Sequence, residues 1–171
     1  MPARQIAVAV HSGYVPGLAE KIERFVGALA RACPDAVLLV GGSWGHMRDV
    51  IDAALRRGMA VVMFLPVEKE GVPAPGRAII VRTGCDDRCR SVVLVRSADA
   101  VAVLGGGAGT MIEALMAYAM GKPVFVLTGT GAPSDKLAAA YPDYFDERKT
   151  VRVVYAENPE RLAELCCAAS R

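Results

Sequence analysis

Aromatic side chains are scarce in this chain. Phe, Trp and Tyr make up 6% of its 171 residues, with one tryptophan, Trp44. Histidine occurs twice, as His11 and His46, and the two are not paired at a ligand-like spacing. That counts against a zinc site, and no metal centre is expected. No apolar run nears the roughly 18 residues that a membrane span needs. No basic leader and apolar h-region precede the first strand-like segment. A cytoplasmic protein with no membrane association is the expectation. Charge of one sign is missing too: 20 basic and 18 acidic residues leave +2. A nucleic-acid footprint calls for a clustered basic face, so nucleic acid is not expected as a partner. Two nucleotide motifs are also absent. No Gly-Lys-Ser/Thr marks a Walker A loop, and the segment 11–17 lacks the glycine spacing of a dinucleotide fingerprint, which weighs against NAD.

Apolar residues are what the chain has in quantity, 53% of the total. Strand candidates fall at 6–10, 36–40, 60–65, 78–81, 100–104, 123–127 and 151–155. Between several of them apolar residues recur at helical spacing. Leu18, Ile22, Phe25, Val26 and Leu29 form one stripe; Val50, Ile51, Ala54 and Leu55 a second; Met111, Ala114, Leu115 and Tyr118 a third; Leu162, Leu165 and Cys166 a fourth. Strand, helix and strand in repetition mean right-handed βαβ units. The expected fold is α/β: a single domain over 1–171, a Rossmann-like three-layer αβα sandwich with a mostly parallel sheet of about seven strands. Gly58 and Gly121 read as helix stops, and Asn158-Pro159 as a cap followed by a proline at the first helical position. The Pro/Gly-rich segment 67–76 reads as a mobile surface loop. The five cysteines, an odd count, read as mostly free thiols. Cys85 and Cys89 alone have a local spacing that suits a metal or a disulfide, the disulfide being favoured.

Ligands of an open parallel sheet bind beyond the carboxyl ends of its strands. Three loops stand at that edge: one with Ser12 and Gly13, one with Gly41, Gly42, Ser43, Gly45 and Met47, and one with Gly105, Gly106, Gly107, Gly109 and Thr110. In the third, glycines let a ligand approach the backbone. The helix behind it offers unpaired N–H groups and the positive end of its dipole. Such a turn attracts phosphate. Glycines after a strand also serve tight turns, but two glycine loops bordering one crevice favour a ligand site. Glu113 lies in the first turn of the helix. A carboxylate beside a phosphate implies a nearby cation or a task, and Arg90 is a candidate cation, in a segment that also holds Arg82, Arg88 and Arg96.

The run 97–113, ending in Gly-Gly-Gly-Ala-Gly-Thr-Met-Ile-Glu, resembles the Pro-Gly-Gly-x-Gly-Thr-x-x-Glu signature of the LONELY GUY family of nucleoside-monophosphate phosphoribohydrolases. The wider group holds DprA/Smf-related Rossmann proteins and molybdenum-cofactor carrier proteins. The loop 41–47 is similar to the family's first glycine loop, and Gly121-Lys122-Pro123-Val124 to its strand entry. By this resemblance Glu113 and Arg90 fall on the catalytic glutamate and arginine, and Gly106, Gly107, Gly109 and Thr110 cradle a 5′-phosphate. Gly105 stands where the hydrolases have proline, and Ser91 where they have lysine. The Gly-Gly-Gly-x-Gly-Thr form resembles the carrier-like branch. The resemblance therefore implies a carrier of a phosphate ligand, with the molybdenum cofactor or a nucleotide as the bound molecule. Its alternative is hydrolysis of a nucleoside 5′-monophosphate through Arg90 and Glu113, and a weaker one is a DprA-related DNA-processing accessory. It also implies a homodimer or homotetramer built through helices. The stripe Met111, Leu115, Met116, Tyr118, Ala119 and Met120 suits that assembly, or burial in a monomer, equally well.

Overall fold

The computed structural model describes residues 3–169. Seven strands form one sheet: β1 (Gln5–Ala9), β2 (Val37–Val40), β3 (Ala60–Leu65), β4 (Ile79–Arg82), β5 (Ala100–Val103), β6 (Val124–Leu127) and β7 (Val153–Ala156). Their order across the sheet is β4-β3-β2-β1-β5-β6-β7, and every pairing is parallel. The helices are α1 (Leu18–Ala32), α2 (His46–Arg56), α3 (Asp87–Ser97), α4 (Ala108–Ala119), α5 (Lys136–Ala140) and α6 (Pro159–Ala169). The expected Rossmann-like sandwich is therefore present, with a sheet parallel throughout.

Side chains alternate across each strand. In β1, Ile6 and Val8 join one core with Leu18 and Ile22 of α1, Val50 and Ile51 of α2, and Leu162 of α6. Ala7 and Ala9 join the other, with Leu94 of α3, Ala114 and Tyr118 of α4, and Leu137 of α5. Burial on both faces explains why the strands read as continuous apolar runs. The helix stops at Gly58 and Gly121 take positive φ, 77° and 69°. Asn158 caps α6, its Oδ1 accepting the Arg161 N–H at 2.7 Å.

Helix α3 has no apolar stripe to announce it. Its apolar residues run consecutively, Val92 to Val95, and its start depends on a cap: Asp86 Oδ1 accepts from the N–H groups of Arg88 and Cys89 at 3.0 and 2.9 Å. The loop after β3 begins with a 3-10 turn, Val67–Lys69, bound to the chain before α3 through Val67 N–H donating to Cys85 O at 2.8 Å.

The reading of mostly free thiols is corrected. Helix α6 packs along α1 and brings Cys167 onto Cys33 as a disulfide across 134 residues of sequence. Cys85 and Cys89 form a second disulfide. Cys166 is the free cysteine among the described residues, and burial pushes its thiol up to about 12. Sequence spacing reveals a local pair. A pair that depends on two helices docking shows only once they are docked. No group of three or more His, Cys, Asp or Glu among the described residues is placed to hold a metal, and no helix there is long and apolar enough to cross a membrane.

Candidate functional site

The chain runs outward from β1 to β4, then returns through α3 to β5 on the other side of β1. β1 leads to a helix on one face and β5 to a helix on the opposite face, so the loops beyond them part and leave a crevice. A cleft of about 330 Å³ opens there. That lies at the small end of the range for small-molecule sites.

The β1 loop is knotted to its neighbours. His11 N–H donates to Gly105 O at 2.9 Å, and His46 N–H to His11 O at 3.2 Å. His46 is buried. Its Nε2 accepts the Val15 N–H at 2.8 Å, so Nδ1 carries the proton and donates to Asp49 Oδ2 at 2.7 Å. His11 and Ser12 line the cleft, whereas Gly13 makes the turn and donates to His11 Nδ1 at 3.3 Å.

The 105–110 loop divides into two halves. Its rear half shapes the turn. Gly105 has φ 111° and faces Thr130, and a Cβ on Gly106 would lie 2.0 Å from Thr110 Oγ1. Gly106 is clasped by Ser134, whose N–H donates to Gly106 O and whose Oγ accepts the Gly106 N–H, both at 3.0 Å. The front half, Gly107, Ala108, Gly109 and Thr110, lines the cleft. Gly107 is the cap of α4, and no side-chain cap engages the first turn among the described residues. The initial amides of a helix have no partners within it, so they face the cleft with the positive end of the dipole.

Arg90 lies across the cleft floor, 7% exposed. Its Nη2 donates to Asp87 Oδ1 at 3.2 Å, and its Nε is buried without a partner among the described residues. A buried unsatisfied donor carries a desolvation penalty. Gly41 makes room for this arrangement: a Cβ there would lie 1.4 Å from Arg90 Nη1. Glu113, also in the lining, is 9% exposed. Burial pushes its carboxyl above the ordinary carboxylate range, against a hydrogen bond from Ser91 and the charges of Arg90 and Arg88. Ser91 Oγ lies 2.8 Å from Glu113 Oε1 and 3.0 Å from Asp87 O. One hydroxyl proton cannot serve both acceptors. Donated to Glu113, it steadies the carboxylate and works against the effect of burial.

The far wall comes from Trp44 and Met47 of the β2 loop and α2, and from Pro66, Glu68 and Lys69 after β3. Gly42 gives space to the indole: a Cβ there would lie 2.4 Å from Trp44 Cη2. Gly45, with φ 54°, passes against the Ser12 backbone. The cleft thus brings together Ser12, Gly41, Met47, Arg90, Gly107, Gly109, Thr110 and Glu113 from the sequence-derived set. Gly13, Gly42, Ser43, Gly45, Gly105 and Gly106 stand behind that lining. Sequence reasoning does not assign Glu68, Lys69 and Asp87 to the site. They sit on a loop that reads as mere surface and on a helix without periodicity. The Asp86 cap before the apolar run is the usable signal.

No curated protein matches the chain. Among solved structures it is similar to the structural-genomics protein TM1055, at 32% identity and TM-score 0.82, with 95% of this chain and 97% of that one covered. It is also similar to the molybdenum cofactor binding protein from the phototrophic bacterium Rippkaea orientalis, at 24% identity and TM-score 0.77, covering 96% of each chain. The molybdenum cofactor carrier protein from Chlamydomonas reinhardtii shares the fold at 20% identity and TM-score 0.68, with 98% and 96% covered. The model of one family matches residues 7–163, and the resemblance read from the glycine loops agrees with it: the chain belongs to the SLOG cluster4 family.

Proposed function

We propose that this chain binds the phosphate of a mononucleotide-sized ligand at the start of α4 and holds it without turnover, as a carrier of the molybdenum-cofactor type. One observation carries the reading: the Arg90 guanidinium, with one donor left unpartnered, and the uncapped first turn of α4 border the same cleft. Oriented amides and a guanidinium are donors suited to phosphate oxygens. Arg88 adds a further cation to the lining. The state of Glu113 bears on turnover. Burial favours the proton on this carboxyl, which lessens its repulsion of a phosphate and makes it less suited than a freely ionised carboxylate to steady an oxocarbenium charge. Calorimetric titration with ribose 5-phosphate and with molybdopterin tests the proposal. Micromolar binding without consumption supports it; no binding at millimolar concentration removes it.

A second reading, cleavage of the N-glycosidic bond of a nucleoside 5′-monophosphate, is favoured by Arg90 and Glu113 lying in one cleft. A neutral Glu113 would then act as general acid toward the departing base. Release of free base from a panel of monophosphates, abolished in Glu113→Gln, decides for it; intact monophosphates after long incubation decide against it. Assembly is proposed through α3 and α4, where Val92, Ile112 and Leu115 are exposed apolar side chains on neighbouring helices. Elution at the 18.0 kDa monomer mass would reject that arrangement.

A further inference from the structure

The end of the cleft away from α4 has its own chemistry. Trp44, the sole tryptophan, lays its indole over Gly42 and has the Lys69 ammonium 5.9 Å from the ring centroid. Lys69 and Glu68 belong to the 3-10 turn that follows β3, held by the Val67-to-Cys85 bond and by Gly84 N–H donating to Glu70 Oε1 at 2.7 Å. Among the described residues no hydrogen bond or ion pair engages the Glu68 carboxylate, and it lines the cleft. β5 and β2 are separated only by β1. Two strand spacings amount to about 10 Å, so the anion-attracting end and the indole stand apart across the cleft.

We infer that Trp44, Lys69 and Glu68 form a ring subsite, which takes a planar heteroaromatic group with a 2-amino-4-oxo-pyrimidine edge, carried on the phosphate ligand proposed above. The inference rests on that reading for the ligand's anionic end. The ring stacks on the indole where the exposed Lys69 ammonium now stands over it, and takes the place of that side chain. The edge offers two neighbouring N–H donors. A carboxylate accepts such a pair in bidentate fashion, whereas an adenine edge places an acceptor nitrogen beside its amino group and sets it against the charge. Guanine and pterin both carry the 2-amino-4-oxo pattern.

The sole tryptophan supplies the readout. The intact chain is titrated with guanosine 5′-monophosphate, adenosine 5′-monophosphate, guanosine, a pterin phosphate and ribose 5-phosphate, following Trp44 emission and heat in parallel. The expected result is saturable quenching by the guanine and pterin phosphates and heat without quenching from ribose 5-phosphate. The guanine nucleotide should bind on the order of tenfold more tightly than the adenine nucleotide, the size of one stacking or hydrogen-bonding contribution. Trp44→Leu should reduce its affinity to that of ribose 5-phosphate, and Trp44→Phe should restore most of it. Glu68→Gln should erase the preference over adenine. Ribose 5-phosphate binding as tightly as every nucleotide, with emission unchanged, overturns the ring subsite and leaves the phosphate reading intact. Guanosine binding as well as its monophosphate overturns the phosphate reading and supports the ring subsite. Equal affinity for guanine and adenine nucleotides overturns the role of Glu68. No binding by any probe overturns both proposals.

Discussion

Two glycine-rich loops border the cleft, and they use their glycines in opposite ways. In the 41–45 loop each glycine yields space to another part of the protein: Gly41 to the Arg90 guanidinium, Gly42 to the Trp44 ring, Gly45 to the Ser12 backbone. In the 105–110 loop only the rear pair does so. A methyl group added at Gly107 would have nothing within 4 Å, and one added at Gly109 would meet only the tips of the Arg88 side chain, at 3.7 Å. One loop presents side chains to the cleft and the other presents backbone. Glycine content alone does not distinguish the two uses; what stands opposite each missing Cβ does.

The largest expected effect tests the packing loop. Gly45 pairs φ 54° with ψ −143°, a region nearly closed to other residues, and a Cβ there would lie 2.2 Å from Ser12 O. Gly45→Ala should cost about 3 kcal/mol or more in urea unfolding. Gly107→Ala should change stability by no more than about 0.5 kcal/mol. Equal losses at both positions would erase the distinction between the loops.

Next in size is the loss of the buried guanidinium. Arg90→Ala should weaken ribose 5-phosphate binding by about 10- to 100-fold in calorimetry, the worth of hydrogen bonds to a charged group. Gly41→Val, which displaces the same guanidinium, should reproduce most of that loss. Wild-type affinity in both variants would detach Arg90 from the anion.

The Glu113 carboxyl gives a pH signature. Its folded pKa is raised above the ordinary value of 4.5. Its contribution to stability is therefore full below pH 4.5 and is lost as pH rises through the folded value. Glu113→Gln removes that dependence, so the variant should gain on the wild type in stability as pH is raised from 4.5. Parallel pH profiles for the two proteins, measured by thermal unfolding, would contradict the raised value. The smallest effect is expected at Ser91. Ser91→Ala should cost about 1 kcal/mol and raise the Glu113 pKa further, since the Ser91 hydrogen bond lowers it. A fall in that pKa, followed by carboxyl NMR, would refute donation from the Ser91 hydroxyl to the Glu113 carboxylate.

Much of the architecture is legible in the sequence because each strand is short, apolar and followed by a turn residue. All seven strand candidates lie within about two residues of the observed limits. Helix α3 is hidden because a helix between a sheet and a neighbouring helix can be started by a cap and need not display a stripe. The site is half legible. Glu113 and the front of the 105–110 loop can be found because ligand loops follow strands, and Arg90 through the family resemblance. Glu68, Lys69 and Asp87 cannot, because their place in the cleft depends on how a turn and a helix start lean over it.

Composition and residue order by themselves determined the alternation of elements, the parallel sheet and the position of the glycine turns, since these follow from local periodicity and from the steric freedom of single residues. Tertiary structure alone decided which glycine faces the cleft and which a neighbour. It also decided that Cys33 meets Cys167, and that Glu113 is buried deeply enough to favour its proton. All three depend on what lies opposite a residue after the helices have docked, and distance along the chain carries no information about that.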